Sequence, residues 1–388
     1  MTRRRRFSVE FWGSLRYIDK MLANNENRIP WWQTSFDNGE DFAVAEAIKA
    51  KKISQGAVTQ HFEELLADYL GVQSVIATSS GTSALTLALM GSDIKPGDEV
   101  LVPNRTWIAT AHAVQILGGV PVFVDTEVDF PVMSVIQLEK YLTPKTKAIM
   151  PVHMNGRGVD MTELNQFAEE HRLVVIEDAA QALGSKNVRG QLLGTLSTAG
   201  CFSLSVAKII ATGQGGFIAT KDPDLAKCFR SLRTHGVENT VEPDRWVAPG
   251  SNFRFTDILA SIGIIQLALL PERIKRSRQV YERYKVGLKN HPSVQLIEYK
   301  DYEVGPYIEV LAQNRDGLRN YLRVQPIEIE TRPFYPDLNS APYWVERNSE
   351  ELPNSMKFAA RGLYLPSGPS ILDEDIDYVL RAIWKFDS

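Results

Sequence analysis

Cysteine is nearly missing from this chain. Of its 388 residues only Cys201 and Cys228 are cysteines. Two cysteines make no disulfide framework, and neither is spaced as a metal ligand. That usage fits a reducing compartment, and a cytoplasmic location is expected. The six histidines show no H-x-x-x-H pattern and no paired carboxylates beside them, so no metal site is expected. No stretch approaches the ~18 uninterrupted apolar residues of a membrane span. An excess of basic charge is also lacking: 43 Lys and Arg stand against 47 Asp and Glu, a net charge of −4, which argues against a nucleic-acid partner. Four arginines at positions 3–6 resemble the start of an export signal. The apolar stretch such a signal needs is interrupted by Glu10, Arg16, Asp19 and Lys20, so this end reads as a solvated basic tip before an amphipathic segment at residues 7–22. Internal repeats, sustained heptads and low-complexity linkers are absent as well.

What is present is the composition of a soluble globular protein, 44% hydrophobic and 23% charged, long enough for roughly two domains. From about residue 75 to 220 strand and helix patterns alternate. "SVIATSS" reads as a strand and turn, and Thr82 to about Met90 as the helix that follows. "EVLVP" is a strand, and "TWIATAHAVQIL" a helix stopped by Gly118 and Gly119. "VPVFVD" and "KAIMPVHM" are further strands, and Asp160 with Glu163 predicts a capping box for "MTELNQFAEEH". "LVVIEDAA" is a strand whose apolar run ends at two acids, and "CFSLS" and "FIA" complete the set. Continuous Val/Ile runs separated by helices predict a mainly parallel sheet covered on both faces. Beyond about residue 270 a long charged helix, short strands, prolines and a last helix predict a smaller α+β domain.

Ligands of such sheets bind outside the carboxyl ends of the strands. Asp178, Thr82, Trp107 and Lys208 all follow strand ends and so converge on one edge. Taken singly they are weak signals. Lys208 reads as a surface lysine, Asp178 as a helix cap, "SSGTSA" as a turn, and Trp107 as core packing. Together they suit a chemistry in which a lysine amine condenses with the aldehyde of pyridoxal phosphate. Asp178 would hold the proton on the pyridine nitrogen, Gly81 and Thr82 at a helix start would take the phosphate, Ser203 would add a hydroxyl, and Trp107 would offer a flat face.

These residues carry a family resemblance. The blocks "SSGTSALTLAL", "KPGDEVLVPNRTWIATAHAVQILGGVPVFVD", "TPKTKAIMPVHMNGRGVDM", "VVIEDAAQALGS", "CFSLSVAK", "GQGGFIAT" and "GSNFRFTDILASI" resemble the sugar aminotransferases of the DegT/DnrJ/EryC1/StrS type, over about residues 55 to 270 and more loosely beyond. The resemblance implies a fold type I pyridoxal-phosphate enzyme of the α/β class, with a seven-stranded, mainly parallel sheet flanked by helices and a smaller α+β C-terminal domain. The expected division is residues 1–35, an N-terminal segment packing on the small domain or a partner, residues 36–270, the large domain, and residues 271–388, the small one. Lys208 falls at the Schiff-base lysine, Ser203 at the phosphate serine, Asp178 at the pyridinium partner and Gln181 beside the phenolic oxygen. Gly81 and Thr82 match the phosphate loop, and Trp107 the stacking aromatic. Asn252 matches a residue reaching the phosphate of the neighbouring subunit, which implies a homodimer. Pyridoxal phosphate bound to Lys208 would alternate with pyridoxamine phosphate. The amino group would pass from an amino-acid donor, glutamate, to a keto-sugar, most naturally a nucleotide-linked 4-keto-6-deoxyhexose.

A related branch of sugar dehydratases carries histidine where this chain has Lys208, so the lysine favours amino transfer. Two further readings stay open: transfer to a non-nucleotide keto-sugar, and a non-catalytic regulatory homologue. Departures from the family pattern are Ala207, Gln214, a short segment from about 298 to 330, and "WWQTSFDNG" near the N-terminus. His153, at a strand end, is a candidate substrate contact or a structural histidine. Arg254 is a candidate anion contact or half of an ion pair.

Overall fold

The computed structural model describes residues 27–238, 245–344 and 351–386. The arginine run, the amphipathic segment at 7–22 and most of the expected N-terminal segment lie outside the described residues.

Seven short apolar runs form one sheet: β1 (Ser74–Thr78), β2 (Glu99–Pro103), β3 (Val120–Val124), β4 (Thr146–Ile149), β5 (Val174–Asp178), β6 (Ala199–Ser203) and β7 (Gly216–Thr220). Their order is β1-β7-β6-β5-β4-β2-β3. Every pairing from β6 to β3 is parallel, while β7 runs antiparallel to both β6 and β1. The exception has a simple cause. Parallel neighbours need a crossover long enough to return the chain, commonly a helix, whereas antiparallel neighbours can be joined directly. The connection between β6 and β7 contains no α-helix, and it carries Lys208.

Helices cover the sheet, as the two-sided burial of its strands requires. They are α1 (Glu40–Lys49), α2 (Ala57–Leu70), α3 (Gly81–Gly91), α4 (Ala109–Ile116), α5 (Met161–His171), α6 (Pro223–Arg233) and α7 (Asp257–Ala268). The Asp160 carboxylate caps α5, accepting from the Thr162 and Glu163 amides at 3.0 and 3.2 Å. Trp107, expected to open α4, stands two residues ahead of its first turn. Phe202 and Phe217 stack at 4.6 Å between centroids across β6 and β7.

The long helix α8 (Leu270–Gly287) leads to a second, antiparallel sheet built from β8 (Val294–Leu296), β9 (Ile308–Ala312), β10 (Arg332–Pro333) and β11 (Gly362–Leu365), in the order β10-β11-β9-β8. Helices α9 (Arg315–Arg323), α10 (Pro353–Arg361) and α11 (Asp373–Phe386) complete this part. A separate apolar core, from Val280 to Ile383, lies here. Arg28–Ile29 pairs in parallel with Glu328–Ile329, and Trp31 and Gln33 exchange backbone bonds with Ser367. The segment before α1 therefore runs along the second sheet.

Two buried arginines tie the parts together. Arg105, after β2, meets Asp337 at 3.1 Å and the Tyr335 carbonyl at 3.0 Å. Arg157, after β4, pairs with Glu309 of β9, lies 3.8 Å over the Tyr299 ring, and donates to the carbonyls of Glu298 and Ile297. Among the described residues no helix is long and apolar enough to cross a membrane, and no three potential metal ligands converge.

Candidate active site

The carboxyl ends of β1, β2, β5 and β6 open into a cleft of about 350 Å³ between the large sheet and the second sheet. Gly81, Thr82, Trp107, Asp178, Gln181, Ser203 and Lys208 all line it. Seven residues scattered over more than a hundred positions thus meet at one edge.

Asp178 is the last residue of β5 and is buried. Its Oδ2 accepts from the Thr110 hydroxyl at 2.8 Å, and Oδ1 from the Ala180 amide at 3.1 Å. Burial raises its pKa above the ordinary carboxylate range, and the Thr110 bond works in the opposite direction. Such a group gains by facing a positive charge. Lys208 sits half-buried on the β6–β7 connection. Burial lowers its pKa to about 8, although the Asp178 charge opposes the shift. Among the described residues its amine has no hydrogen-bond or ion-pair partner, so an electrophile meets it without breaking a bond first.

The turn that carries Lys208 is braced from outside. Trp32 Nε1 and the Thr34 hydroxyl both donate to the Val206 carbonyl, at 3.0 and 3.1 Å, and the Tyr307 hydroxyl donates to the Ala207 carbonyl at 2.5 Å. The unfamiliar "WWQTSFDNG" thus belongs to the site.

At the other end of the cleft, α3 begins against β6. Ser80 caps it by accepting from the Ser83 amide at 3.0 Å, and the first amides, Gly81 and Thr82, have no intrahelical partner. A Cβ on Gly81 would lie 2.9 Å from that of Ser203, and one on Gly216 would lie 2.6 Å from the Gly81 nitrogen. Only glycines let helix start, serine and strand come this close. The result is an anion cradle of amides and a hydroxyl. Trp107 is 53% exposed, its ring edge-on to Tyr335 at 4.9 Å between centroids. It serves the cleft, not the core. Gln181 accepts from the Asn155 backbone amide at 2.8 Å, leaving its NH₂ group for the cleft.

Two substrate candidates are placed elsewhere. His153 is fully buried. Its Nε2 meets Glu177 at 2.9 Å and its Nδ1 accepts from the Val159 amide at 3.3 Å. Both ring nitrogens are engaged, and His153 does not line the Lys208 cleft. Arg254 is exposed and donates to Asn252 Oδ1 at 2.9 Å. It lines a different cavity, with Arg230 and Arg233, so it is not a contact of the Lys208 cleft within its own chain. Among the described residues it forms no ion pair either. Asn252 is exposed and is also absent from the lining of the Lys208 cleft. Sequence reasoning missed Thr110, Trp31, Tyr307, Arg332 and Tyr335, which complete the walls. Thr110 had a signal, since three residues after Trp107 is one helical turn.

A sheet of this order, with a lysine after β6 and an acid ending β5, defines a fold type I pyridoxal-phosphate-dependent transferase. More narrowly, the chain belongs to the DegT/DnrJ/EryC1/StrS aminotransferase family, whose sequence profile matches residues 35–384. It is 36% identical to the GDP-perosamine synthase of Escherichia coli O157:H7 over 93% of this chain and 99% of that one. It is 34% identical to the dTDP-3-amino-3,4,6-trideoxy-alpha-D-glucose transaminase of Streptomyces venezuelae, over 85% and 87%. Among solved structures, S. venezuelae DesV superposes with a TM-score of 0.84 at 32% identity, over 89% of this chain and 94% of that one.

Aminotransferases of this family use pyridoxal phosphate, and the residues present fit it. The glycine-dependent cradle suits a phosphate, the free amine of Lys208 an aldehyde, and the buried Asp178 a protonated ring nitrogen.

Proposed function

We propose that this chain transfers an amino group from L-glutamate to the ketone of a nucleotide-linked 4-keto-6-deoxyhexose, as a cytoplasmic homodimer in which Asn252 reaches the phosphate in the partner's cleft. The observation that carries the chemistry is the placement of Lys208 and Asp178 in one cleft with the phosphate cradle. The names of the relatives, both makers of nucleotide-linked amino sugars, support the substrate class. Exposed Asn252, outside its own chain's cleft, supports the shared site.

Pyridoxal phosphate supplies an electron sink that stabilises negative charge at the substrate carbon. The chain's residues do the rest. Gly81, Thr82 and Ser203 would hold the phosphate end. Trp107 would offer its ring as a flat face, and the Gln181 NH₂ would serve the phenolic oxygen. Asp178, held by Thr110, would keep a proton on the ring nitrogen. Lys208, whose amine would be free while a substrate occupies the cofactor, would move a proton between the substrate carbon and the cofactor carbon, acting as base and then acid.

The function is tested by incubating the protein with L-glutamate and a panel of nucleotide-linked keto-sugars. A product with the mass of the amino sugar is expected. Transfer only to free keto-sugars would overturn the substrate assignment. Asp178→Asn should slow turnover about 10²-fold while leaving cofactor capture intact, because the amide oxygen still accepts from Thr110. Stopped-flow absorbance checks both, and undiminished turnover would remove Asp178 from its role.

A further inference from the structure

We propose that Arg332, stacked on Trp31, forms an oxyanion subsite in the Lys208 cleft that receives the carboxylate of the amino donor or the diphosphate of the sugar nucleotide. This rests on the aminotransferase reading above, because both substrates of that reaction are anions.

Among the described residues two cations line the cleft, Lys208 and Arg332. Lys208 is committed to the cofactor, which leaves Arg332 as the cation this chain offers a substrate. Its guanidinium carbon lies 4.1 Å from the centroid of the Trp31 ring, and the side chain is exposed. Among the described residues no carboxylate or carbonyl accepts from it. The two arginines that join the sheets behave differently. Arg105 and Arg157 are buried and matched to Asp337 and Glu309. Glu330, two positions before Arg332, accepts instead from the Trp31 amide at 3.2 Å. The acid nearest in sequence thus holds the tryptophan and leaves the arginine free.

The platform is rigid. Arg332 pairs with Tyr364 on β11, and Trp31 packs on Tyr307 and Tyr364 at 5.7 and 6.3 Å between centroids. Burial pushes the phenols of Tyr307 and Tyr335 up, and the Arg332 charge pulls each the other way. Arg332, Tyr307 and Tyr335 all line the same cleft. A guanidinium resting over a ring with no acceptor bonded to it keeps its N–H groups free, and that planar fork matches a carboxylate or phosphate with two parallel bonds. Stacking also limits the conformations the side chain must give up on binding.

The test compares Arg332→Gln and Arg332→Lys with the parent holoenzyme. Calorimetry measures binding of glutarate, which mimics the donor's carboxylates, and of GDP-mannose and dTDP-glucose, which carry the diphosphate but no ketone. Half-reaction kinetics follow L-glutamate and the keto-sugar separately. The Gln variant should raise Kd and KM for one anion class about 10- to 100-fold, with a smaller effect for Lys. The visible absorption of the lysine-bound cofactor should stay unchanged. A loss confined to glutarate and L-glutamate assigns the subsite to the donor. A loss confined to the nucleotide sugars assigns it to the diphosphate. Affinities within about twofold of the parent for every probe would overturn the proposal. Arg332-dependent binding in a parent protein that transfers no amine would keep the subsite and sink the functional reading instead.

Discussion

Lys208→Ala should abolish turnover while leaving the fold intact. The loss expected is about 10³-fold or more, from removing the acid–base group and the amine that captures the cofactor, equivalent to about 4 kcal/mol of barrier. The fold should survive because the amine holds no partner among the described residues, so its removal orphans no buried donor or acceptor. Circular dichroism and thermal melting should match the parent, the visible band of the lysine-bound cofactor should vanish, and cofactor should remain bound through the Gly81–Thr82–Ser203 cradle. The same lysine sets a pH dependence. With its pKa lowered to about 8 by burial, the reactive neutral amine grows as pH rises through that value. Cofactor uptake by the stripped protein should therefore accelerate to about pH 8 and then level off, well below where a solvated lysine would. Turnover in the alanine variant within tenfold of the parent would reject the assigned mechanism.

Arg157→Ala should be the most damaging single change to stability. The guanidinium is buried, pairs with Glu309, stacks on Tyr299 and fills two carbonyls. Truncating it leaves Glu309, itself buried, without its counter-charge, a loss of about 3–5 kcal/mol. Asn155 also bonds Glu309, and its backbone amide donates to Gln181. The damage should therefore reach the cleft as weaker cofactor affinity. Denaturant titration and cofactor binding read the two effects. A midpoint indistinguishable from the parent would show that the pair is not what joins the sheets.

The large sheet was legible because each strand is a short apolar run, with proline or an acid at or just after the end of β2, β3 and β5, and because sites on such sheets gather at strand ends. That rule sent Asp178, Thr82, Trp107 and Lys208 to one edge, and all four line the cleft. The reversed direction of β7 was not legible, since its apolar pattern reads the same either way. Trp31 and Arg332 were illegible for another reason. They lie about 300 positions apart and become one feature only when the segment before α1 lies along the second sheet. His153 looked like a site residue because it ends a strand. The structure turns it instead toward Glu177, whose direction depends on the pleat.

That pleat has a consequence of its own. Glu177 and Asp178 are adjacent acids pointing to opposite faces of β5. Glu177 is saturated by His153, Ser197 and the amides of Gly194 and Leu196, and those bonds hold its pKa down against burial. Asp178 keeps capacity to spare. If the strand slid by a single position, the acids would exchange faces. The catalytic pocket would then confront a carboxylate built for internal wiring, and the wiring would lose its acid to Ile176. The order of two neighbouring letters thus encodes which charge is left available for chemistry.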